Sequence, residues 1–163
     1  MAVVVVTDSS ARLSARDVGH WDIRVAPLHI LVDGHDLRDG VDDVPADLYT
    51  RGHVTTAGAT PAELSELYRR AVVDSGGDGV VAVHISGALS STVAAAQHAA
   101  ADFAGLVRVV DSRSAAMGTG FVALAAARSA GGGGDVNDVE ARARAATAEV
   151  RAFIVVHRLD NLR

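Results

Sequence analysis

Short runs of valine that alternate with helical patterns constrain the fold of this chain more than any other feature. Residues 3–7 are apolar almost throughout, as is typical of a strand buried on both faces of a sheet. Similar runs cover residues 80–85 and 106–110, and a polar loop and a helical pattern follow each of them. This alternation predicts βαβ units. We therefore expect a three-layer α/β fold, with a mostly parallel sheet and helices on both faces.

The helices have clear signals in the sequence. Thr60, Pro61 and Glu63 form the pattern of a capped helical N-terminus, and apolar residues follow at helical spacing. The glycine-rich stretch after Ser75 ends that helix. Three more helices are predicted, over residues 91–103, 115–130 and 136–150.

Two further strands are predicted outside this alternation of strands and helices. One covers residues 24–34, where Pro27 restricts the strand locally to an edge or a bulge. A turn or hairpin rich in aspartate and glycine follows it. The other is a short apolar run at residues 153–156.

Composition argues against several classes of protein. The 163 residues include no cysteine, and a single domain of this size buries a core without disulfides. The net charge is -5, all cationic residues are scattered arginines, and aromatic residues are few, so a nucleic-acid binder is not expected. No apolar run approaches the length of a membrane span, and no basic segment precedes the first one. We expect a cytoplasmic protein with at most transient membrane contact.

Polar residues gather where three of the predicted parallel strands end. Ligands of open parallel sheets bind outside these carboxyl ends. Serine and aspartate also cap helices, and capping alone explains each stretch taken separately. Taken together, and with Gly87, Gly118 and Gly120 allowing close backbone approach, the stretches favour a shared polar crevice. Its candidate residues from these stretches are Asp8, Ser9, Ser86, Ser90, Ser91 and Ser112.

Neutral hydroxyl donors near helix N-termini favour a carboxylate or a single phosphate. The glycine-rich phosphate loop and the dinucleotide fingerprint are both absent, so nucleotide binding is not expected. The seven histidines include no pair at metal-ligand spacing, and no metal or other cofactor is expected. Asp8, His84 and a serine together have the composition of a hydrolytic triad, although no GxSxG elbow accompanies them. The alternative for His84 is a hydrogen-bonded core histidine.

Five stretches carry a resemblance to a known family, and they are VTDSSARL from Val6, PLHILVDGHDLRDGVD from Pro27, TAGATP from Thr56, ISGALSSTVAAA from Ile85 and DSRSAAMGTG from Asp111. Together with the ending FIVVHRLDNLR from Phe153, they resemble the DegV family in order along essentially the whole chain. That family includes the fatty-acid-binding subunits of bacterial fatty acid kinase.

The resemblance implies a binding protein without catalytic residues of its own. Such proteins hold one long-chain fatty acid between an N-terminal α/β domain and a C-terminal domain. A FakA-type kinase with a dihydroxyacetone-kinase-like nucleotide domain then phosphorylates the carboxylate. By this resemblance, residues 1–163 correspond to the N-terminal domain, and the chain is expected to be a truncated or a single-domain form that lacks the C-terminal domain, which supplies an arginine and a histidine to the head group. An exposed apolar face is then expected, and a homodimer is one way to cover it.

The resemblance also assigns residues to the head-group site, namely Thr56, Ser86, Ser90 and Ser91. Further residues are expected to line the site, and these are Asp8, Ser9, Ser112 and Met117. Met117 fits either a tunnel for the acyl tail or an ordinary core. At residues 57–59 and 86–91 the chain departs from the family and loses hydroxyl and amide groups.

Two alternatives of other classes remain open at this point. One is an acyl ester or acyl phosphate hydrolase that uses Asp8, His84 and a serine. The other is a non-lipid interaction module whose exposed face pairs with another subunit.

Overall fold

The computed structural model describes residues 2–48, 53–153 and 155. Its strands, in chain order, are β1 (Val4–Asp8), β2 (Arg24–Ala26), β3 (His29–Val32), β4 (His35–Arg38), β5 (Val54–Ala57), β6 (Val80–His84) and β7 (Val107–Asp111). Its helices are α1 (Ala15–Trp21), α2 (Pro61–Ser75), α3 (Thr92–Ala100), α4 (Met117–Gly131) and α5 (Val136–Glu149).

Four of the strands form a parallel sheet, the main sheet, in the order β2-β1-β6-β7. Successive valines of its central strands point to opposite faces. Val5 and Val83 join one hydrophobic core, whereas Val4 and Val6 join the other. Because both faces are covered, these strands have to be apolar throughout rather than alternating. The predicted three-layer α/β architecture is confirmed.

Small residues allow the helices to pack closely on the main sheet. Helices α4 and α5 cover one face, where buried alanines such as Ala123 and Ala143 line the contact. Helices α2 and α3 cover the other face with Leu64, Tyr68 and Ala96. A large side chain at the alanine positions would force the helices away from the sheet, at a typical cost of about 1–3 kcal/mol.

Except at the C-terminal end of α3, the predicted helices begin and end within about two residues of the observed ones. Thr60 and Glu63 form the expected capping box of α2, and Gly76 ends that helix in the left-handed conformation. Helix α3 is shorter than predicted, because a 3-10 turn at Ala101–Phe103 follows it. The sequence analysis missed α1, a seven-residue helix whose N-cap is Ser14.

The strand predicted over residues 24–34 is wrong as a single element. Pro27 divides it into β2, which belongs to the main sheet, and β3, which belongs to a second sheet. This small sheet is antiparallel, in the order β4-β3-β5. The predicted hairpin joins β3 to β4, and Asp33 and Gly34 both have positive φ, as a tight two-residue hairpin requires.

The strand predicted at residues 153–156 is also wrong for the part that the structure describes. Phe153 and Val155 lie outside any strand and are 90% and 83% exposed. A short apolar run becomes a strand only when a sheet edge pairs with it, and among residues 2–48 and 53–153 none does. Residues 154 and 156–163, which complete this stretch and the end of the family resemblance, lie outside the described residues. No helix in the described part of the chain has the length and hydrophobicity to cross a bilayer.

Candidate functional site

The strands β1, β6 and β7 end side by side, and backbone hydrogen bonds tie the loops that follow them. The Ser86 N–H donates to the Ser114 carbonyl at 2.8 Å, and the Ser112 N–H donates to the His84 carbonyl at 3.0 Å. The chain leaves β1 toward β2 on one side and reaches β6 on the other, so the order reverses between β1 and β6. Open parallel sheets bind ligands at such a reversal.

Asp8, the last residue of β1, is fully buried at this reversal. Its Oδ2 accepts hydrogen bonds from His84 Nδ1 at 3.0 Å and from the Ile85 N–H at 2.9 Å. Its Oδ1 accepts from the Ser10 N–H and from the Ser10 hydroxyl. Burial alone would raise the pKa of Asp8, but the hydrogen bonds from His84, Ser10 and Ile85 outweigh it and hold the pKa below its usual value. Asp8 is therefore a buried carboxylate that fixes the start of the loop after β6.

His84 is a core histidine with both ring nitrogens engaged. Nδ1 faces Asp8, and Nε2 lies 2.8 Å from the hydroxyl of Tyr68 on α2. Burial raises the pKa of Tyr68, so the phenol keeps its proton and donates it to Nε2. Both rings are fully buried, and no serine hydroxyl among the described residues is bonded to His84. The geometry thus favours the core alternative for His84 over a triad base.

The loop at residues 86–92, here called the hydroxyl loop, links β6 to α3. The Ser86 hydroxyl accepts the Ala88 N–H at 3.2 Å, and Ser86 is 7% exposed. The Ser90 hydroxyl accepts the Thr92 N–H at 3.2 Å and lies 2.8 Å from the buried Thr92 hydroxyl. Ser91 is exposed and makes no capping bond, although it is the N-cap residue of α3. The N-cap residue itself therefore makes no capping bond, and the Ser90 hydroxyl accepts the first N–H of α3 instead.

Thr56 belongs to the small sheet rather than to the main sheet. It lies on β5, opposite Ile30 of β3, and its side chain is exposed. The chain after it runs directly to the hydroxyl loop, since a Cβ placed on Gly58 would lie 2.6 Å from Thr92 Oγ1. The chain just after β5 therefore contacts the start of α3.

Three other predicted site residues form internal contacts. The Ser9 hydroxyl accepts the Leu28 N–H at 3.0 Å. Ser112 is 1% exposed, and its hydroxyl lies 3.0 Å from that of Thr119. Met117 is half-buried in the first turn of α4 and packs beside Gly120. In the described chain, Ser112 has no surface to offer a ligand.

The glycines of α4 do allow close approach, but to other parts of the same chain. A Cβ on Gly118 would lie 1.9 Å from Ser114 Oγ, and one on Gly120 would lie 2.6 Å from the Ala11 carbonyl oxygen. Only glycine fits at these contacts. At Gly118 and Gly120 the close approach that the sequence predicts is therefore made by the protein itself and not by a ligand.

Asp111, which the sequence analysis did not select, places a carboxylate beside the hydroxyl loop. Its Oδ1 accepts the Gly87 N–H at 3.3 Å and the Arg113 N–H at 2.8 Å. A carboxylate ligand in the crevice would meet a like charge here. Its position directly after an apolar strand is the signal that would have identified it.

A cavity of about 430 Å³ lies at the ends of β1 and β2. Its polar wall is formed by the end of β1, including Asp8 and Ser9. The ion pair between Arg12 and Asp39, 3.0 Å apart, lies at the cavity, and the arginine side chain is 60% exposed. The apolar residues that line it are Ala11, Leu13, Ala15, Val18, Val25, Pro27 and Val41. Met117 does not line it.

Histidine, aspartate and glutamate do not come together in a metal-binding group in the part of the chain that the structure describes. The polar groups at the crevice are hydroxyls, backbone amides and the two carboxylates. Such a set suits an organic ligand with hydrogen-bonding atoms.

Comparisons with known proteins agree with this architecture. The model of a family described as "Uncharacterised protein, DegV family" matches residues 2–163. A DegV domain-containing protein of Mycobacterium tuberculosis is 61% identical over 163 residues, and one of Streptomyces coelicolor is 39% identical over 165 residues. The matches cover 100% and 99% of this chain but 58% of each relative. The chain thus spans less than two thirds of the length of these curated relatives.

Solved structures of the same family share the fold. A DegV family protein from Thermus thermophilus, described by its fatty acid binding, is 31% identical, with a TM-score of 0.83 over 91% of this chain and 54% of its own. A DegV family protein from Corynebacterium glutamicum is 36% identical, with a TM-score of 0.76 over 90% of this chain and 49% of its own.

Proposed function

This chain belongs to the DegV family, and on that premise we propose that it holds the carboxylate of a long-chain fatty acid at the hydroxyl loop. It acts as a binding protein rather than an enzyme. One observation carries this proposal: the Ser86 and Ser90 hydroxyls each accept a backbone N–H on the same short loop, which leaves the Ser86 proton, and the Ser90 proton when Thr92 donates, for a ligand. The fatty acid binding of the related Thermus thermophilus protein supports the choice of ligand.

The Ser90 proton is available to a ligand when the Thr92 hydroxyl is the donor of their shared hydrogen bond. Thr92 is fully buried, and its hydroxyl lies 2.8 Å from that of Ser90, either of which is able to donate. With Thr92 donating, Ser90 Oγ accepts twice and its own proton points to the ligand. Ser86 accepts the Ala88 N–H, and its proton has no acceptor among the described residues. Two neutral donors are thus arranged on one short loop.

The cavity beside β1 supports a place for the acyl tail. Seven apolar residues line it, and it begins at Asp8 and Ser9, next to the loop that carries Ser86. Each buried methylene contributes about 0.8 kcal/mol, so ten of them contribute about 8 kcal/mol. A hydrogen bond to the charged head adds about 1.5–3 kcal/mol. The tail therefore supplies most of the affinity, and the hydroxyls orient the carboxylate.

The charge of the head group needs a partner beyond this chain. No arginine bonds the hydroxyl loop in the described residues, and Asp111 adds a negative charge there. The family resemblance implies that a second domain supplies an arginine and a histidine. Since the chain spans 58% of its curated relatives, we propose that it forms one half of a two-part site. A second domain or a second copy covers it, and a FakA-type kinase receives the bound acid.

The observed contacts argue against the hydrolase alternative and favour an interaction surface. A hydrolase would need a free His84 Nε2 near a serine, and Tyr68 occupies that nitrogen. An interaction surface is favoured by Leu89 and Phe121, which are 60% and 56% exposed. Such a surface is also what the covering half of a two-part site requires. The homodimer, the partner kinase and the cytoplasmic location remain predictions.

Mass spectrometry of an organic extract tests the proposal. The purified chain is compared with a longer version that adds any coding sequence downstream of Arg163. We expect a fatty acid near one equivalent in the longer version and less in the shorter one. Ser90→Ala should lower the retained amount, whereas Ser129→Ala, near the C-terminal end of α4 and away from the hydroxyl loop, is the matched control. Absence of fatty acid from both versions would refute the proposal.

A further inference from the structure

His29 on β3 is held between two carboxylates that come from different elements. Its Nδ1 lies 2.8 Å from Asp36 on β4, and its Nε2 lies 3.2 Å from Glu63 on α2. The His29 side chain is 11% exposed, whereas Asp36 and Glu63 are 56% and 46% exposed. The imidazole therefore joins the small sheet to the first turn of α2.

Two carboxylates can accept from one imidazole only if both ring nitrogens carry hydrogen. A neutral imidazole has a single N–H, so one carboxylate would then face a lone pair. The hydrogen bond to Asp36 raises the pKa of His29, burial opposes it, and Glu63 raises it further, so the net shift is upward. Burial would raise the pKa of Glu63, but bonds from Thr60 and His29 outweigh it and keep this group ionised.

The charged groups around His29 all belong to β4 and α2. Arg38 of β4 lies directly opposite His29, and its guanidinium is bonded to Asp42. Strand β5 presents Ala57 opposite His29 and adds no titratable group there. Asp36 and Glu63 are thus the two charges in contact with the ring, and both favour its protonated form.

The position of this contact links it to the candidate head-group residue on β5. His29 pairs with Ala57, and its neighbour Ile30 pairs with Thr56. Three residues separate β5 from α2, which begins with the capping box of Thr60 and Glu63. Gly58, in that short connection, packs on Thr92 of the hydroxyl loop. The His29 to Glu63 contact therefore spans the connection that links β5, which carries Thr56, to the hydroxyl loop.

We propose that His29 is a protonation-controlled clamp that positions Thr56 for the ligand. When charged, it holds the small sheet against α2; when neutral, it releases one carboxylate and the sheet shifts away from the hydroxyl loop. Fatty acid affinity then falls as pH rises. This proposal rests on the proposed function for its ligand but not for the clamp itself.

The sign of the effect follows from the direction of the shift. The folded-state pKa of His29 lies above its unfolded value of about 6.5. The contribution of the clamp is therefore complete below about pH 6.5 and is lost as pH rises through the folded-state pKa. A difference of one pKa unit between the bound and free protein changes affinity about tenfold across the titration.

Binding of radiolabelled stearate between pH 6 and pH 9 tests the link to the ligand, in whichever version retains fatty acid. We expect a loss of affinity of up to about tenfold in the wild type and a flat profile in His29→Gln. His35→Gln, which changes an exposed histidine of the same hairpin, is the matched control and should follow the wild type. Equal slopes in the wild type and in His29→Gln would overturn the proposal, whereas absence of binding at any pH would count against the proposed function instead.

A ligand-free measurement tests the clamp by itself. Nitrogen-15 NMR of the imidazoles should show His29 protonated at both nitrogens at pH 6.5, with a titration midpoint above that of a free histidine. Over the same titration, hydrogen-exchange protection of β3 and β5 should fall. Asp36→Asn should lower the midpoint while the ring remains in place, which keeps the test valid if His29→Gln does not fold. A His29 ring with one proton at pH 6.5 would contradict the proposed clamp. So would hydrogen-exchange protection of β3 and β5 that does not change as His29 titrates.

Discussion

The two sheets of this molecule are built on different principles. The central strands of the main sheet are buried on both faces and held by cores above and below, as Val5 and Val6 show. The small sheet exposes most of its side chains, and ion pairs such as the one between His29 and Asp36 accompany its backbone ladder. Buried apolar contacts depend little on pH, whereas a contact made by histidine depends on its protonation and therefore on pH. The comparison indicates a fixed frame that carries the hydroxyl loop and an adjustable element that carries Thr56.

The buried polar chain of Asp8, His84 and Tyr68 belongs to the fixed frame. It joins the ends of β1 and β6 to helix α2 and has no exposed atom at its centre. Asp8 also accepts the Ile85 N–H, one residue before Ser86. These contacts set where the hydroxyl loop begins.

The largest expected effect is that of Asp8→Ala. The change leaves the His84 and Ile85 donors buried without their acceptor. Each buried donor left unsatisfied typically costs about 1–3 kcal/mol, so the two together should cost about 2–6 kcal/mol. Urea unfolding should show this loss in the free energy of unfolding. Asp43→Ala, at an exposed position, should change the free energy of unfolding by less than about 0.5 kcal/mol. A similarly small change for Asp8→Ala would show that Asp8 does not hold the strand ends together.

Hydrogen exchange compares the two sheets directly. Amides of β1 and β6 should exchange only through global unfolding, because the cores on both faces have to open first. Amides of β3 and β5 should open locally, at a free energy below that of global unfolding. Two-dimensional NMR at constant pH measures both sets in one sample. Equal protection of the two sheets would show that the small sheet is as stable as the main sheet.

Tyr68→Phe should have a smaller effect on stability. The phenylalanine keeps the packing against Phe103 but removes the hydroxyl that donates to His84. An unsatisfied buried acceptor costs about 1–3 kcal/mol. Thermal or urea unfolding measures the change. In an Asp8→Ala background the same substitution should cost less than in the wild type, because the hydrogen bond between Asp8 and His84 is already absent. Strictly additive costs would count against a coupled network.

The smallest effects separate two adjacent serines. Ser90→Ala removes the acceptor of the Thr92 N–H and the partner of the buried Thr92 hydroxyl, at a cost of about 1 kcal/mol. Ser91→Ala should change stability by less than about 0.5 kcal/mol, because its exposed side chain makes no capping bond. Urea unfolding of the pair decides between them. A larger cost at Ser91 would restore the capping explanation of this loop.

The main sheet is the part of the fold that the sequence predicts well. The observed bounds of β1, β6 and β7 differ from the predicted ones by one residue at most. Burial on both faces requires uninterrupted apolar runs, and such runs are visible without any knowledge of their partners. The small sheet lacks this signal, because its strands are short, exposed and partly charged, as β4 shows with His35 and Asp36.

The site is harder to predict because its contacts join distant residues. Asp8 and His84 are 76 positions apart, and periodicity does not indicate which strand ends become neighbours. Tyr68 lies on the apolar face of α2, where its spacing fits a core residue, and only its hydroxyl hints at a buried partner. Thr56 was selected through the family resemblance, and its exposed position on a separate sheet follows from the split at Pro27.

A crystal structure of the stearate complex tests whether the hydroxyl loop holds the carboxylate. A carboxylate oxygen should lie within about 3 Å of the Ser86 or Ser90 hydroxyl, with Thr56 close to the same group. The acyl tail should extend into the cavity between β1 and Val41. A carboxylate bound away from the hydroxyl loop, with both hydroxyls left to solvent, would contradict the account.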